Sequence, residues 1–94
     1  MSGAELITNE RNRQINELGY TNEFQKNNPH LYDRSQLLDG AASYLATDVM
    51  QKRELNALWP WEAHSFKPTP DNRILELTKA GAMIAAEIDR LLNQ

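Results

Sequence analysis

An all-α fold is what this sequence predicts, a compact domain of three helices, and three observations predict it. Apolar residues recur at steps of three and four from Ile74 to Leu91. Capping chemistry stands ahead of each helical run. No segment shows strand alternation bounded by turn signals. The 94 residues make a single helical domain, 1–94, too short for two independent cores.

The first helix is expected from Gly3 to Leu18. Ser2 and Glu5 have capping-box spacing, and Gly19 supplies the left-handed stop that helices use. Ile7, Arg11, Gln14, Ile15 and Leu18 share one face, so its apolar stripe is thin. The second helix is expected from Arg34 or Ser35 to Leu55, with Asp33 as its N-cap. Its stripe is Leu37 and Leu38, Ala41, Ala42, Leu45 and Val49. Gly40, beside Ala41 and Ala42, offers a patch where another backbone can approach closely. Thr69 is the expected cap of the third helix, with Pro70 in its first position. Ile74, Leu77, Gly81, Ile84 and Ile88 form a narrow seam there, continued by Leu91, of the kind helices use to pack along one another. The alanines around Gly81 keep that helix slim, and self-association through the seam is expected. A chain of this size is marginally stable alone, which points the same way.

Between the second and third helices lies a long aromatic, Pro-rich loop, Leu58-Trp59-Pro60-Trp61-Glu62-Ala63-His64-Ser65-Phe66-Lys67-Pro68. It holds both tryptophans and two of the four prolines. Proline removes it from a helix interior or a central strand. Large rigid rings on irregular backbone either plug a small core or build a binding surface. Pro60 sets an extended backbone on which Trp59 and Trp61 point in opposite directions, one ring inward and one available.

Composition narrows the function. There is no cysteine, which excludes disulfides and thiolate metal sites, and His30 and His64 lack metal-ligand spacing. No metal or cofactor is expected. A net charge of −3 disfavours general nucleic-acid binding. The uncharged run Ala80 to Ala86 is far too short for a membrane span, and no basic segment precedes an apolar core at the N-terminus. A soluble cytoplasmic protein is expected.

The candidate ligand-binding residues are Arg11, Tyr20, His30, Trp59, Trp61, Lys67 and Arg73. Either tryptophan can stack on a base or anchor a protein interface, or both can close the open end of the core. Arg11 shares the face of Ile7 and Ile15, so it either pairs with an acidic residue of the third helix or forks onto a phosphate or carboxylate. Lys67 and Arg73 are placed to join such an anion clamp, Arg73 beside free backbone N–H groups at a helix start. Tyr20 packs at a helix end, and His30 orders the first loop. Glu10 and Glu17 do not reproduce the paired carboxylate set of all-α pyrophosphohydrolases, and Glu87 and Asp89 cannot share a helix face. No Ser/His/Asp set or Gly-rich phosphate loop is visible. A binding protein rather than an enzyme is expected.

Four motifs in order resemble a family of small, largely uncharacterised bacteriophage and prophage proteins. They are Glu10-Arg11-Asn12-Arg13-Gln14-Ile15 through Gly19-Tyr20-Thr21, Gly40-Ala41-Ala42-Ser43-Tyr44, Trp59-Pro60-Trp61 with Lys67-Pro68, and Leu77-Thr78-Lys79-Ala80-Gly81-Ala82. The family carries an acidic, histidine-rich stretch after the Gly-Tyr-Thr turn, where this chain has Asn22-Glu23-Phe24-Gln25-Lys26-Asn27-Asn28-Pro29-His30. Ile15, Gly19-Tyr20, Pro29-His30-Leu31, Tyr32-Asp33 and Leu37 are also similar in order to ryanodine-receptor repeat domains, with Pro-His in place of His-Pro. The two resemblances imply a phage protein that engages a nucleotide-derived ligand, with sequestration of an antiviral nucleotide signal as its use. The alternative is an inhibitor docking on a host defence protein through Trp59 and Trp61.

Overall fold

The computed structural model describes residues 1–93, and all of its regular structure there is helical. Five α-helices replace the expected three: α1 (Gly3–Leu18), α2 (Asn22–Asn27), α3 (Gln36–Leu45), α4 (Lys52–Leu58) and α5 (Arg73–Leu92). Short 3₁₀ turns occupy Pro29–Leu31 and Ala63–Ser65.

α1 has the predicted bounds because both of its ends are fixed locally. The Ser2 hydroxyl accepts from the Glu5 N–H, the Glu5 carboxylate accepts from the Ser2 N–H, and Gly19 sits at φ 74°. The added helix α2 is one and a half turns, capped by the Thr21 hydroxyl on the Phe24 N–H. The predicted second helix divides at Ala46; its first part begins at Gln36, just beyond the expected Arg34 or Ser35, and Ser35, strained at φ 63°, takes the place of Asp33 as N-cap. The cause of the division is tertiary. Arg73 donates to the carbonyls of Tyr44 (3.2 Å) and Leu45 (2.7 Å), closing the end of α3 as a C-cap would. Thr47 turns back onto the same place through hydrogen bonds to the Tyr44 carbonyl and Glu76. α5 begins at Arg73 under an Asn72 cap rather than at Pro70, because Thr69 is drawn aside by a hydrogen bond from its N–H to Glu76.

α5 is the central element, flanked along its length by α1 and α3. α3 runs antiparallel to it, since Leu37 packs with Ala86, Ala41 with Ala80, and the end of α3 meets Arg73. The small side chains Ala41, Ala80, Ala82 and Ala86 are buried and permit that close approach. Gly81 serves α1 in the same way: a Cβ there would lie 2.5 Å from Ile7 Cδ1. No helix among the described residues is long and apolar enough to cross a membrane.

The interior is unusually polar. Glu10, Arg11, Gln14, Glu76 and Glu87 are all buried, while Ile74, Leu77, Ile84, Ile88 and Leu91 are exposed. Buried charges persist only when paired, and each is: Glu10 with Arg13 (2.8 Å), Arg11 with Asp89 (3.3 Å), Glu76 with Arg73 (3.4 Å) and Glu87 with Arg90 (2.7 Å).

Candidate functional site

All seven aromatic residues of the chain belong to one network. From the rim inward it runs Tyr20, Phe24, Tyr32, Trp61, Trp59, with Tyr44 and Phe66 both against Trp59. Successive ring centroids lie 4.8 to 6.4 Å apart, mostly edge to face, the geometry that favours aromatic pairs. Six of the seven rings, all but Phe66, line a groove of about 410 Å3, within the range of small-molecule sites. α1 supplies one wall, the aromatic segment the other, and Lys79 and Met83 of α5 line it between them.

The loop is rigid for reasons its composition supplies. The Trp59 indole N–H donates to the Glu62 carbonyl and the Ser65 hydroxyl (both 3.1 Å), and Ser65 itself donates to the Glu62 carbonyl (2.7 Å). These bonds fold the loop onto itself around a ring that is 7% exposed and stacked on Phe66. The Trp61 indole N–H donates to the Leu31 carbonyl (3.1 Å), tying the loop to the turn before α3. Trp61 stays half-buried with a surface on the groove. Gly40 makes room for it. An added Cβ would lie 2.8 Å from Trp61 Cζ3 and 3.1 Å from Met83 Sδ. Gly40→Ala is therefore expected to displace the indole and cost about 1–3 kcal/mol of strain. That outweighs the helix-propensity gain of about 1 kcal/mol; a lower melting temperature with shifted tryptophan emission checks it.

The polar side of the groove is carried by four cations and two carboxylates. Arg13 forks onto Glu10 at 2.8 and 2.9 Å, and Gln14 donates to the same carboxylate at 3.2 Å. The Arg13 hydrogen bonds hold the Glu10 carboxyl below its usual range despite burial. A carboxyl lowered on folding contributes stability that is complete above the unfolded value near 4.5 and lost as pH falls through the folded value. Glu10→Gln is thus expected to flatten the acid side of the stability profile below pH 4.5, measured by urea unfolding at successive pH values. Lys79 behaves oppositely. Desolvation pulls its ammonium pKa down, only partly countered by Glu10 and Glu76. Its Nζ donates to the Lys67 carbonyl (2.8 Å) and stands 5.3 Å above the Tyr44 ring. The Tyr44 hydroxyl accepts from the Lys67 N–H, and burial raises its pKa. Burial pushes the Tyr32 hydroxyl up to about 12.

Of the sequence-predicted residues, Arg11, Tyr20, Trp59, Trp61 and Lys67 line the groove. Arg11 is already committed, to Asp89 and to the Tyr20 carbonyl (2.9 Å), which is the ion-pair alternative. Arg73 and His30 are not brought there. Arg73 is spent on the end of α3, Glu76 and Asp48, far from an anion clamp. His30 is exposed in the 3₁₀ turn, where its carbonyl accepts from Gln36. Sequence reasoning missed Glu10, Arg13, Gln14 and Lys79 as groove residues. The pattern of α5 held a sign of Lys79, which lies on the side opposite the aliphatic seam. The chain matches no protein-family model, no curated protein and no solved structure.

Proposed function

We propose that the chain binds a flat, anionic, nucleotide-like small molecule in the aromatic groove. The observation that carries this reading is the convergence of Arg11, Arg13, Lys67 and Lys79 on an aromatic wall in a chain whose net charge is −3. An acidic protein with one basic, ring-lined cleft concentrates anions there. A base stacks on Trp61 between the rim rings Tyr20 and Phe24, and phosphates face Lys67, Lys79 and Arg13. Lys79 supports the reading most, since burial disfavours its charge and, among the described residues, its ammonium donates to a backbone carbonyl rather than to a carboxylate. The phage-family resemblance of the sequence adds a use: retention of a nucleotide signal made by a bacterial defence system. Docking of the tryptophan loop on a host protein would need outward rings, whereas Trp59 is buried and the open surface of Trp61 lies on the groove.

Isothermal titration against mononucleotides, cyclic nucleotides and ADP-ribose derivatives tests the proposal. Binding by at least one member is expected. Lys79→Met is expected to weaken it by about 10- to 100-fold, the loss of one charge-assisted hydrogen bond. The same variant is expected to melt at an equal or higher temperature, because it removes a desolvated charge. Absence of heat with every member overturns the reading.

A further inference from the structure

α5 is built inside out. A helix at a protein surface turns its apolar stripe inward and its charges to water. Here all six charged side chains of the helix bond within the chain. Arg73 holds α3, Glu76 is buried against it, Lys79 binds the Lys67 carbonyl, Glu87 and Arg90 pair, and Asp89 holds Arg11. The outer face carries Ile74, Leu77, Ile84, Ile88 and Leu91, each 41 to 67% exposed, and Leu92 at 76%. Apart from Arg73 in the first turn, no charge interrupts it over twenty residues. α1 and α3 occupy the two sides of the helix; α1 reaches the edge of this face at Gly81, where Ile7 packs, and the isoleucines and leucines stay exposed. Contiguous apolar surface of this length marks an interface.

We propose that this face pairs with the same face of a second copy of the chain, the two α5 helices running antiparallel about a two-fold axis. Two observations choose a second copy over an unrelated partner. The seam Ile74, Leu77, Gly81, Ile84, Ile88, Leu91 has steps of three, four, three, four and three, the same from either end. An antiparallel copy in register therefore sets Ile74 against Leu91 of the second copy and Leu77 against its Ile88, with Ile84 of each copy near the axis, facing the Ile7 that packs on Gly81 of the other. That is the self-complementarity an isologous two-fold contact requires. The extent also suffices: a helix of 20 residues is about 30 Å long, and pairing along it buries on the order of 1,200 Å2, the lower bound of specific interfaces.

The absence of cysteine makes the test direct. Light scattering of the unmodified chain at about 100 μM is expected to give twice the 10.8 kDa chain mass. Leu77→Cys and Ile88→Cys chains, mixed and mildly oxidised, are expected to form the mixed disulfide in large excess over either homodimer. Both positions are solvent-exposed, so the double variant Leu77→Glu with Ile88→Glu is expected to keep its helical circular dichroism and elute as a monomer. A monomeric mass for the unmodified chain overturns the proposal, as does a statistical or homotypic disulfide pattern. The groove lies on the opposite side of α5, so the monomeric variant is expected to bind nucleotide as the parent does if both readings hold. A failure of either then shows independently.

Discussion

Glu76→Ala is expected to lower stability by about 3–5 kcal/mol, the cost of breaking a buried, hydrogen-bonded charge network by removing one partner. Glu76 is 1% exposed and ties the turn after α3, 29 residues earlier in the chain, to the start of α5 and the segment leading into it. One carboxylate oxygen accepts from the Thr47 hydroxyl (2.7 Å) and from Arg73, and the other accepts from the Thr69 N–H (3.2 Å). Alanine leaves the Thr69 N–H without its acceptor, frees Thr47 from its turn, and removes the counter-charge of the guanidinium that closes α3. A domain of this size moves by about 4–8 °C per kcal/mol, so the melting temperature is expected to fall by roughly 12–40 °C. Glu76→Gln keeps one acceptor oxygen and is expected to lose about half as much. Thermal melts followed by circular dichroism check both. A loss under about 1 kcal/mol for the alanine variant would show that Arg73 holds the end of α3 through the backbone carbonyls alone.

That network also explains what the sequence could and could not show about the fold. α1 is legible to the residue because the Ser2 and Glu5 box and Gly19 are local devices, complete within one turn of either end. The division of the predicted second helix is not legible. The stripe continues through Leu45 to Val49, and the break at Ala46 comes from Arg73, which bonds the Leu45 carbonyl from 28 residues further on in the chain. α2 escaped notice because six residues carry too little periodicity to read, although Thr21 stands three residues ahead of Phe24 as a cap should. The start of α5 was misplaced for a related reason. Thr69-Pro70 is a sound opening in isolation, but Glu76 claims the Thr69 backbone and Asn72 caps instead.

The site was legible in its aromatic half only. Clustered tryptophan and proline reveal a built loop, and the structure places Trp59 inside and Trp61 at the groove. The polar half depends on which way α5 faces. A seam of Ile and Leu at heptad spacing reads as the buried side of a helix. With that side outward, Glu76, Lys79, Glu87 and Arg90 turn toward the interior, so the charges that sequence periodicity assigns to solvent become the core and the groove. Arg73 stands in the sequence beside a helix start and His30 in a loop. Neither position says where a flexible or exposed side chain ends up.

The two tryptophans are expected to separate cleanly by mutation, because one supports the groove and the other faces it. Trp59→Ala removes the ring on which Tyr44, Trp61 and Phe66 all rest, at 5.5, 5.1 and 4.8 Å. The expected cost is about 3–5 kcal/mol, that of emptying a large aromatic site in a close-packed interior. For a domain whose whole stability is on the order of 5–10 kcal/mol, this brings the chain near its unfolding midpoint at room temperature. Trp59→Phe keeps the packing and loses the hydrogen bonds to Glu62 and Ser65, so about 1–2 kcal/mol is expected from it. Its nucleotide affinity should stay within a few-fold of the parent. Trp61→Ala is expected to invert the pattern, since the ring is half-buried and lines the groove, where the proposed ligand would stack on it. Stability should fall less than in Trp59→Ala, while affinity should drop by tenfold or more, the loss of one base stacking on an aromatic ring at about 1–3 kcal/mol. Urea unfolding and titration calorimetry on the three variants read the two effects separately. Equal loss of affinity in Trp59→Phe and Trp61→Ala would place the ligand elsewhere than against Trp61.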